Sequence, residues 1–225
     1  MGVNLESVVF DPAQFNKELN AFDVLLKSKQ DLSETTDIQP FFKKSKHLAA
    51  YMGTIFPEIG PATEIAFEYP FFGDFKADLL LGIKSAKKFC VVEFEDGCAD
   101  SIFKRQPKRR NPEWSARFEH GLSQLTDWFY NLDDFKGTKG FTKTFGDGHV
   151  KFFGLLIIGR SANLDDAKRS RLDWRTEKVL IDSHPVTCLT FDDLHASLSR
   201  RFNIYRAAAK LETKRSARRP GPGTT

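Results

Sequence analysis

The strongest constraint on the fold is a pair of apolar segments, residues 75–83 and 89–95, joined by a short polar link. Apolar runs of this length and composition are typical of interior β-strands. A chain reversal about Ser85 and Ala86 would pair the two segments in antiparallel orientation. The sequence therefore predicts a hairpin that lies inside a sheet.

Three carboxylates interrupt these apolar segments, at Asp78, Glu93 and Glu95. Because strand residues two positions apart project from the same face, Glu93 and Glu95 should point together. In a hairpin closed about Ser85 and Ala86, Asp78 lies opposite Glu93, with Cβ atoms within about 5 Å. Carboxylates this close repel one another unless a proton or a metal ion compensates them. Oxygen ligands of this kind suit Mg²⁺ or Mn²⁺, so the sequence predicts a divalent-metal site.

Composition limits the class of protein. A chain of 225 residues with 40% hydrophobic and 28% charged residues is expected to form one soluble globular domain. No segment has the length of a membrane span, and the start of the chain lacks a signal sequence. The cysteines, Cys90, Cys98 and Cys188, are odd in number, which favours reduced thiols and a cytoplasmic location. The histidines lack metal-ligand spacing, which argues against zinc.

Positive charge is concentrated in two places, although the net charge is only +4. Residues 206–225 carry six basic side chains and one acidic one, and residues 104–110 form a second basic cluster. Basic segments beside an acidic site suit a polyanionic substrate held by its phosphates. The alternative is a solvated loop and tail, and Arg160 could either clamp a phosphate or pair with a carboxylate. The side chains predicted to bind nucleic acid are Lys104, Arg105, Lys108, Arg109, Arg110 and Arg160.

The order of periodic segments predicts a mixed α/β fold. The chain divides into an N-terminal helical extension (1–35), a central domain (36–205) and a basic, disordered tail (206–225). The predicted helices and strands are a helix starting at Asp11-Pro12 and ending near residue 26, a helix over 38–52, strands over 64–69, 75–83 and 89–95, a helix over 112–132, a Gly-rich connection, a strand over 150–159, a helix over 164–172, a strand over 186–190 and a helix capped by Asp192 or Asp193.

The acidic spacing resembles that of the PD-(D/E)xK nuclease superfamily. The core order of that superfamily, helix, three strands, helix, strand, matches residues 36–159. The segment Gln124-Leu125-Thr126-Asp127-Trp128 is similar to a Q-x-x-x-Y helix motif of several of its nucleases, with Trp128 in place of the Tyr. The resemblance implies a restriction-endonuclease-like core with an extra N-terminal helix.

A narrower resemblance is to the Shedu family of bacterial anti-phage nucleases and covers residues 37–203. It implies a metal-dependent DNA endonuclease that self-associates into homo-oligomers. It rests on several motifs in the same order: Gln39-Pro40-Phe41-Phe42, residues 75–80, 91–95 and 122–128, Leu156-Ile157-Ile158-Gly159-Arg160, and residues 189–194.

The resemblance implies a role for each site residue. Asp78 and Glu93 would bind the metal, Glu95 would bind it or hold the attacking water, and Gln124 would orient a water or ligand carboxylate. The family pattern usually ends in Lys where this chain has Glu95. Metal-assisted hydrolysis can survive this change in principle, because a bound metal polarises the phosphate and acidifies its water.

Two other interpretations stay open. The chain could be a non-catalytic nucleic-acid-binding or regulatory relative that kept the fold and lost turnover with the change at Glu95. It could also be a protein-interaction module whose acidic residues simply mark a solvated strand end.

Overall fold

The computed structural model describes residues 4–71, 75–104, 111–181 and 183–217, without the side chains of Phe75, His184 and residues 212–217. A six-stranded sheet has the order β1-β2-β3-β4-β7-β10, and two further strand pairs, β5-β6 and β8-β9, lie apart from it. The strands are β1 (Glu6–Ser7), β2 (Glu64–Phe71), β3 (Phe75–Ile83), β4 (Lys88–Phe94), β5 (Phe103–Lys104), β6 (Glu113–Trp114), β7 (Lys151–Ile157), β8 (Leu180–Ile181), β9 (His184–Pro185) and β10 (Thr187–Leu189).

The sheet is mixed. β1 to β4 pair in antiparallel fashion, whereas β7 runs parallel to β4 and β10 parallel to β7. Parallel neighbours require a crossover, and helices supply both of these crossovers. The predicted mixed α/β class is confirmed. The helices are α1 (Pro12–Ser28), α2 (Gln39–Lys44), α3 (Lys46–Tyr51), α4 (Ala116–Phe135), α5 (Lys139–Phe145), α6 (Asp166–Lys178) and α7 (Phe191–Ala217).

The predicted hairpin is present with the predicted register. β3 pairs with β4 so that Leu79 lies opposite Val92. A short 3₁₀ turn over Lys84–Ala86 joins the strands, and Lys87 closes it with a left-handed backbone (φ +55°). The chain therefore reverses about Ser85 and Ala86.

Alternation along β4 builds two apolar layers, one on each face of the sheet. Cys90, Val92 and Phe94 pack in the layer formed with α1, α2, α3 and α7. Phe89 and Val91 pack in the layer formed with α4, α5 and α6. The sheet is thus covered on both faces, which explains why its central strands are continuously apolar.

Helix α4 lies close to the sheet because glycines leave room for it. A Cβ at Gly154 in β7 would come within 3.0 Å of the Phe129 ring. A Cβ at Gly121 in α4 would come within 2.7 Å of Leu156 Cδ1 and 3.4 Å of Glu95 Cγ. This approach sets α4 directly over the acidic end of β4.

The helix predicted to start at Asp11-Pro12 is confirmed, since Asp11 Oδ1 accepts from Ala13 N at 2.8 Å and Gln14 N at 3.2 Å. The helix predicted over 38–52 is divided at Ser45, where the backbone leaves the helical region. Every helix among the described residues is too short or too polar to span a bilayer.

The structure departs from the predictions in three larger features, beside shifts of a few residues at other helix and strand ends. The Gly-rich connection contains α5, because Phe141 and Phe145 bury themselves under the sheet and outweigh the glycines. Thr190, not Asp192 or Asp193, caps the last helix: its Oγ1 accepts from Asp193 N at 3.0 Å. That helix continues to Ala217, so residues 206–217 of the predicted disordered tail are helical.

Candidate functional site

Asp78 and Glu93 lie side by side at the end of the central hairpin. The register that pairs Leu79 with Val92 places Asp78 opposite Glu93 at the next position. Asp78 Oδ2 accepts from Phe94 N at 2.9 Å, and its carboxylate accepts a hydrogen bond from the Glu93 side chain. Glu93 is only 5% exposed. The predicted juxtaposition of these two carboxylates is confirmed.

Glu95 follows the last residue of β4 and extends the row of carboxylates. Its backbone N–H donates to Ile157 O at 2.9 Å, which continues the pairing with β7. The residue is 3% exposed, and its Cγ lies under Gly121 of α4. A strand end that is merely solvated would be exposed, so the burial of Glu95 excludes that interpretation for this carboxylate.

A glutamate from the start of the chain joins this group. Glu34 lies in a short π-helical turn, Glu34–Ile38, and its backbone N–H donates to Asp96 Oδ1 at 2.7 Å. Gln39 Nε2 donates to Glu34 Oε1 at 3.0 Å and to Asp78 Oδ1 at 2.8 Å. Sequence reasoning missed Glu34. Its only available signal was the neighbouring segment starting at Gln39.

Burial and mutual repulsion raise the pKa values of these acids. The pKa of Glu93 rises to about 11, chiefly through burial and then through the charges of Asp78 and Glu95. Burial also raises the pKa values of Glu95 and Glu34 to about 7. The pKa of Asp78 is raised by burial, although the hydrogen bond from Phe94 N opposes the shift. The group therefore holds protons at neutral pH in the absence of a cation.

Arg117 is the one described basic side chain within ion-pair distance of these acids. Its Nη1 lies 2.9 Å from Asp96 Oδ2 and 3.4 Å from Glu95 Oε2. Arg117 stands in the first turn of α4, whose Ser115 cap accepts from Phe118 N. We call Glu34, Asp78, Glu93, Glu95, Asp96 and Arg117 the acidic cluster.

The described residues include three buried side-chain polar atoms that lack a hydrogen-bond partner. They are Glu93 Oε2, Gln124 Oε1 and Trp128 Nε1. Such an atom costs about 1–3 kcal/mol when water cannot reach it, so native proteins retain few of them. One belongs to the acidic cluster and two lie one turn apart on α4. Gln124, predicted to orient a ligand, is thus half-buried with its carbonyl oxygen unpartnered.

The donor chemistry fits a divalent cation, whereas the observed arrangement is not an assembled cage. Glu93 offers a buried, unpartnered oxygen. The negative charges of neighbouring carboxylates favour a bound proton on Glu93, and they would favour a bound metal ion for the same reason. No group of three or more His, Cys, Asp or Glu side chains within the described ranges is placed to hold a metal ion. Gln39 holds both Asp78 and Glu34, and Arg117 holds Glu95.

Of the six residues predicted to contact nucleic acid, Lys104 and Arg160 lie within the described part of the chain. Lys104 is exposed on β5. Arg105, Lys108, Arg109 and Arg110 lie outside the described residues.

Arg160 forms an internal clamp. Its guanidinium donates to both carboxylate oxygens of Asp192, at 2.9 and 3.0 Å. It also donates to the carbonyls of Leu26 at 2.9 Å, Lys29 at 2.8 Å and Gln30 at 3.2 Å. The side chain is 12% exposed. Of the two alternatives open at the sequence level, the structure shows pairing with a carboxylate.

Comparison with known protein families gives a match over most of the chain. A family model described as "Shedu protein SduA, C-terminal" matches residues 31–195, which is 165 of the 225 residues. The matched range contains every residue of the acidic cluster and Gln124. No curated protein matches the chain.

Proposed function

This chain belongs to the Shedu family by its match to the SduA C-terminal region, and from that premise we propose that it is a metal-dependent DNA endonuclease of bacterial anti-phage defence. The proposal includes a PD-(D/E)xK-type core and self-association into homo-oligomers, both of which the family resemblance implies. DNA would be the substrate, approached through basic segments such as that beginning at Lys104.

The observation that carries the proposal is the buried Glu93 carboxyl with an unpartnered oxygen beside Asp78 and Glu95. A structural acid in this position would be stabilised by a cation or a full set of donors. Raised pKa values produced by burial and by a specific charged neighbour are typical of functional sites.

We assign a role in this proposal to each residue of the site. Asp78, Glu93 and Glu95 would hold Mg²⁺ or Mn²⁺, which when bound lowers the pKa of water and polarises a phosphate oxygen. Gln39 fixes the orientation of Asp78 through its 2.8 Å hydrogen bond. Glu34 has a pKa of about 7 and suits accepting a proton at neutral pH. Gln124 would orient a water or a ligand carboxylate with its unpartnered oxygen.

A second candidate is a non-catalytic nucleic-acid-binding or regulatory relative. Two observations favour it: the carboxylates of the described residues are not assembled around a metal position, and Glu95 stands where the family usually has Lys. In this case the acidic cluster would be retained without turnover.

Metal-induced stabilisation and plasmid cleavage separate the two candidates. Mn²⁺ should raise the melting temperature of the wild type by mass action, and Asp78→Asn should remove most of that rise. Asp127→Asn, an exposed acid on α4, is the matched control and should keep it. Cleavage of plasmid DNA with Mg²⁺ or Mn²⁺, lost in Asp78→Asn, would support the endonuclease. A wild type that binds DNA without cleaving it under any metal would support the second candidate, and an unchanged metal response in Asp78→Asn would place the metal elsewhere.

A further inference from the structure

We propose that Arg117 contacts the phosphodiester group of the substrate and supplies the positive charge that the acidic cluster lacks. This inference rests on the proposed function and assigns to that site a substrate-contacting residue outside the strand motif. It concerns a side chain on α4, more than twenty positions beyond Glu93.

The contacts of Arg117 leave part of its guanidinium available. Nη1 is the atom that meets Asp96 and Glu95, at 2.9 and 3.4 Å. No described residue accepts a hydrogen bond from its Nη2 or Nε. The side chain is 42% exposed, although the carboxylate of Glu95 beside it is buried. Arg117 therefore contacts a buried carboxylate of the acidic cluster while much of its own side chain remains accessible to solvent.

The charge of the acidic cluster makes such a residue necessary. Once the acidic cluster releases its protons, as it must to bind a metal ion, a phosphodiester that approaches it meets carboxylates of its own sign. Arg117 is the described cation at ion-pair distance from Glu95 and Asp96. A guanidinium can bind a carboxylate with one edge and a phosphate oxygen with its other donors. Its place in the first turn of the 20-residue helix α4 adds the partial positive charge of the helix start.

Arg160 shows what an arginine in a purely structural role looks like in the same protein. All of its nitrogen atoms donate to Asp192 or to backbone carbonyls, and it is 12% exposed. Toward the described residues, Arg117 makes its ion-pair contacts through one nitrogen, to the carboxylates of Glu95 and Asp96. Its side chain is more than three times as exposed as that of Arg160.

Substitution of Arg117 provides the first test. Arg117→Ala should lower the rate of DNA cleavage by about 10²-fold or more, the scale expected for removal of an electrostatic contributor. Arg117→Lys should retain more activity than Arg117→Ala, because lysine keeps the positive charge. It should remain below the wild type, because lysine lacks the planar set of N–H donors of a guanidinium. Arg200→Gln removes an exposed arginine from α7 and should cleave like the wild type. Melting temperatures of all variants show whether each is folded.

Chemical rescue tests the role of the charge directly. Guanidinium chloride at concentrations far below those that denature should raise the rate of Arg117→Ala at least about tenfold, while sodium chloride at equal ionic strength should not. Equal recovery with both salts, or an Arg117→Ala variant that cleaves as fast as the wild type, would overturn the proposal.

DNA binding keeps the inference testable if the wild type does not cleave DNA. In Ca²⁺, the affinity of Arg117→Ala for a DNA duplex should be at least about tenfold weaker than that of the wild type, because one phosphate contact is lost. Such a loss in an inert wild type would uphold the role of Arg117 while refuting endonuclease activity. An affinity equal to that of Arg200→Gln would overturn the role of Arg117 whether or not the wild type cleaves.

Discussion

Two groups of charged residues lie at strand ends of the same sheet and differ in how their charges are compensated. The acidic cluster lies at the ends of β3 and β4. The second group, which we call the arginine clamp, lies beyond β7 and β10 and consists of Arg160, Arg169, Asp192, Asp193, Ser161 and Thr190.

Donors match acceptors within the arginine clamp. Arg160 binds Asp192, Arg169 Nη1 donates to Asp193 Oδ2 at 2.5 Å, and Ser161 N donates to Asp192 Oδ2 at 2.8 Å. Burial alone would raise the pKa of Asp192, but the hydrogen bonds from Arg160 and Ser161 hold it below its usual value. The net effect on Asp192 is therefore stabilisation of the charged form.

The acidic cluster, whose Glu93 and Glu95 are more deeply buried than Asp192, shows the opposite result. Its acids outnumber its single described cation, Arg117, and the pKa values of Glu34, Asp78, Glu93 and Glu95 are all raised. Carboxylates thus stabilise the fold where donors and cations surround them. Where these partners are too few, the ionised carboxylates are electrostatically unfavourable. A buried charge without a partner is retained when a ligand is expected to compensate it.

The largest expected difference between the two groups is in metal response and cleavage. Glu93→Gln should reduce DNA cleavage by about 10³-fold and remove the stabilisation by Mn²⁺. The metal-free protein should keep its stability within about 0.5 kcal/mol, because a pKa of about 11 leaves Glu93 neutral at pH 7 and Gln can still donate to Asp78. Cleavage assays with thermal unfolding in EDTA and in Mn²⁺ measure both effects. A metal-free Glu93→Gln protein destabilised by several kcal/mol would show that Glu93 is a structural residue.

The arginine clamp should respond in the reverse way. Arg160→Met removes the donors that Arg160 supplies to Asp192 and to three carbonyls, and should lower the free energy of unfolding by about 3 kcal/mol. The Mn²⁺-induced rise in melting temperature should persist, because the acidic cluster is untouched. Urea denaturation measures the loss, with Arg200→Met as the exposed control. A stable Arg160→Met protein that has lost affinity for DNA would instead indicate that Arg160 contacts a DNA phosphate.

The smallest effect concerns the pH dependence of stability. Glu34 and Glu95 have pKa values of about 7 in the folded protein, above their usual 4.5. The folded state therefore binds more protons than the unfolded state between these values, and the stability of the metal-free protein should fall as the pH rises from about 5 to 8.

Two variants should separate the contributions to this pH dependence. Glu95→Gln should flatten the fall at higher pH. The lowered pKa of Asp192 has the opposite sign, so its contribution is lost as the pH falls, and Asp192→Asn should flatten the acid side of the profile. Unfolding free energies measured across the pH range in EDTA test both, and a slope unaffected by Glu95→Gln would assign the titration to other groups.

The sequence determined the central hairpin, its register and the pairing of Asp78 with Glu93. These features depend on the two-residue period of a strand and on the length of one local turn, and both can be read from consecutive residues. The signal for the start of α1 at Pro12 was equally local, because the residue that caps this helix is the preceding Asp11.

Local signals failed where burial outweighed them. α5 forms in a Gly-rich segment because Phe141 and Phe145 gain more by packing than the glycines cost. α7 continues to Ala217 through a segment whose small and basic composition resembled a disordered tail.

Only the tertiary structure decided which charged residues belong together. Gln39 meets Asp78 across 39 positions of sequence, Arg117 meets Glu95 across 22, and Arg160 meets Asp192 across 32. Nothing in the local pattern distinguishes Arg117 from Arg160, because each is one basic residue near the end of an element. Their difference arises from how many acceptors the folded chain brings to each guanidinium, and that number is fixed by packing between elements distant in sequence.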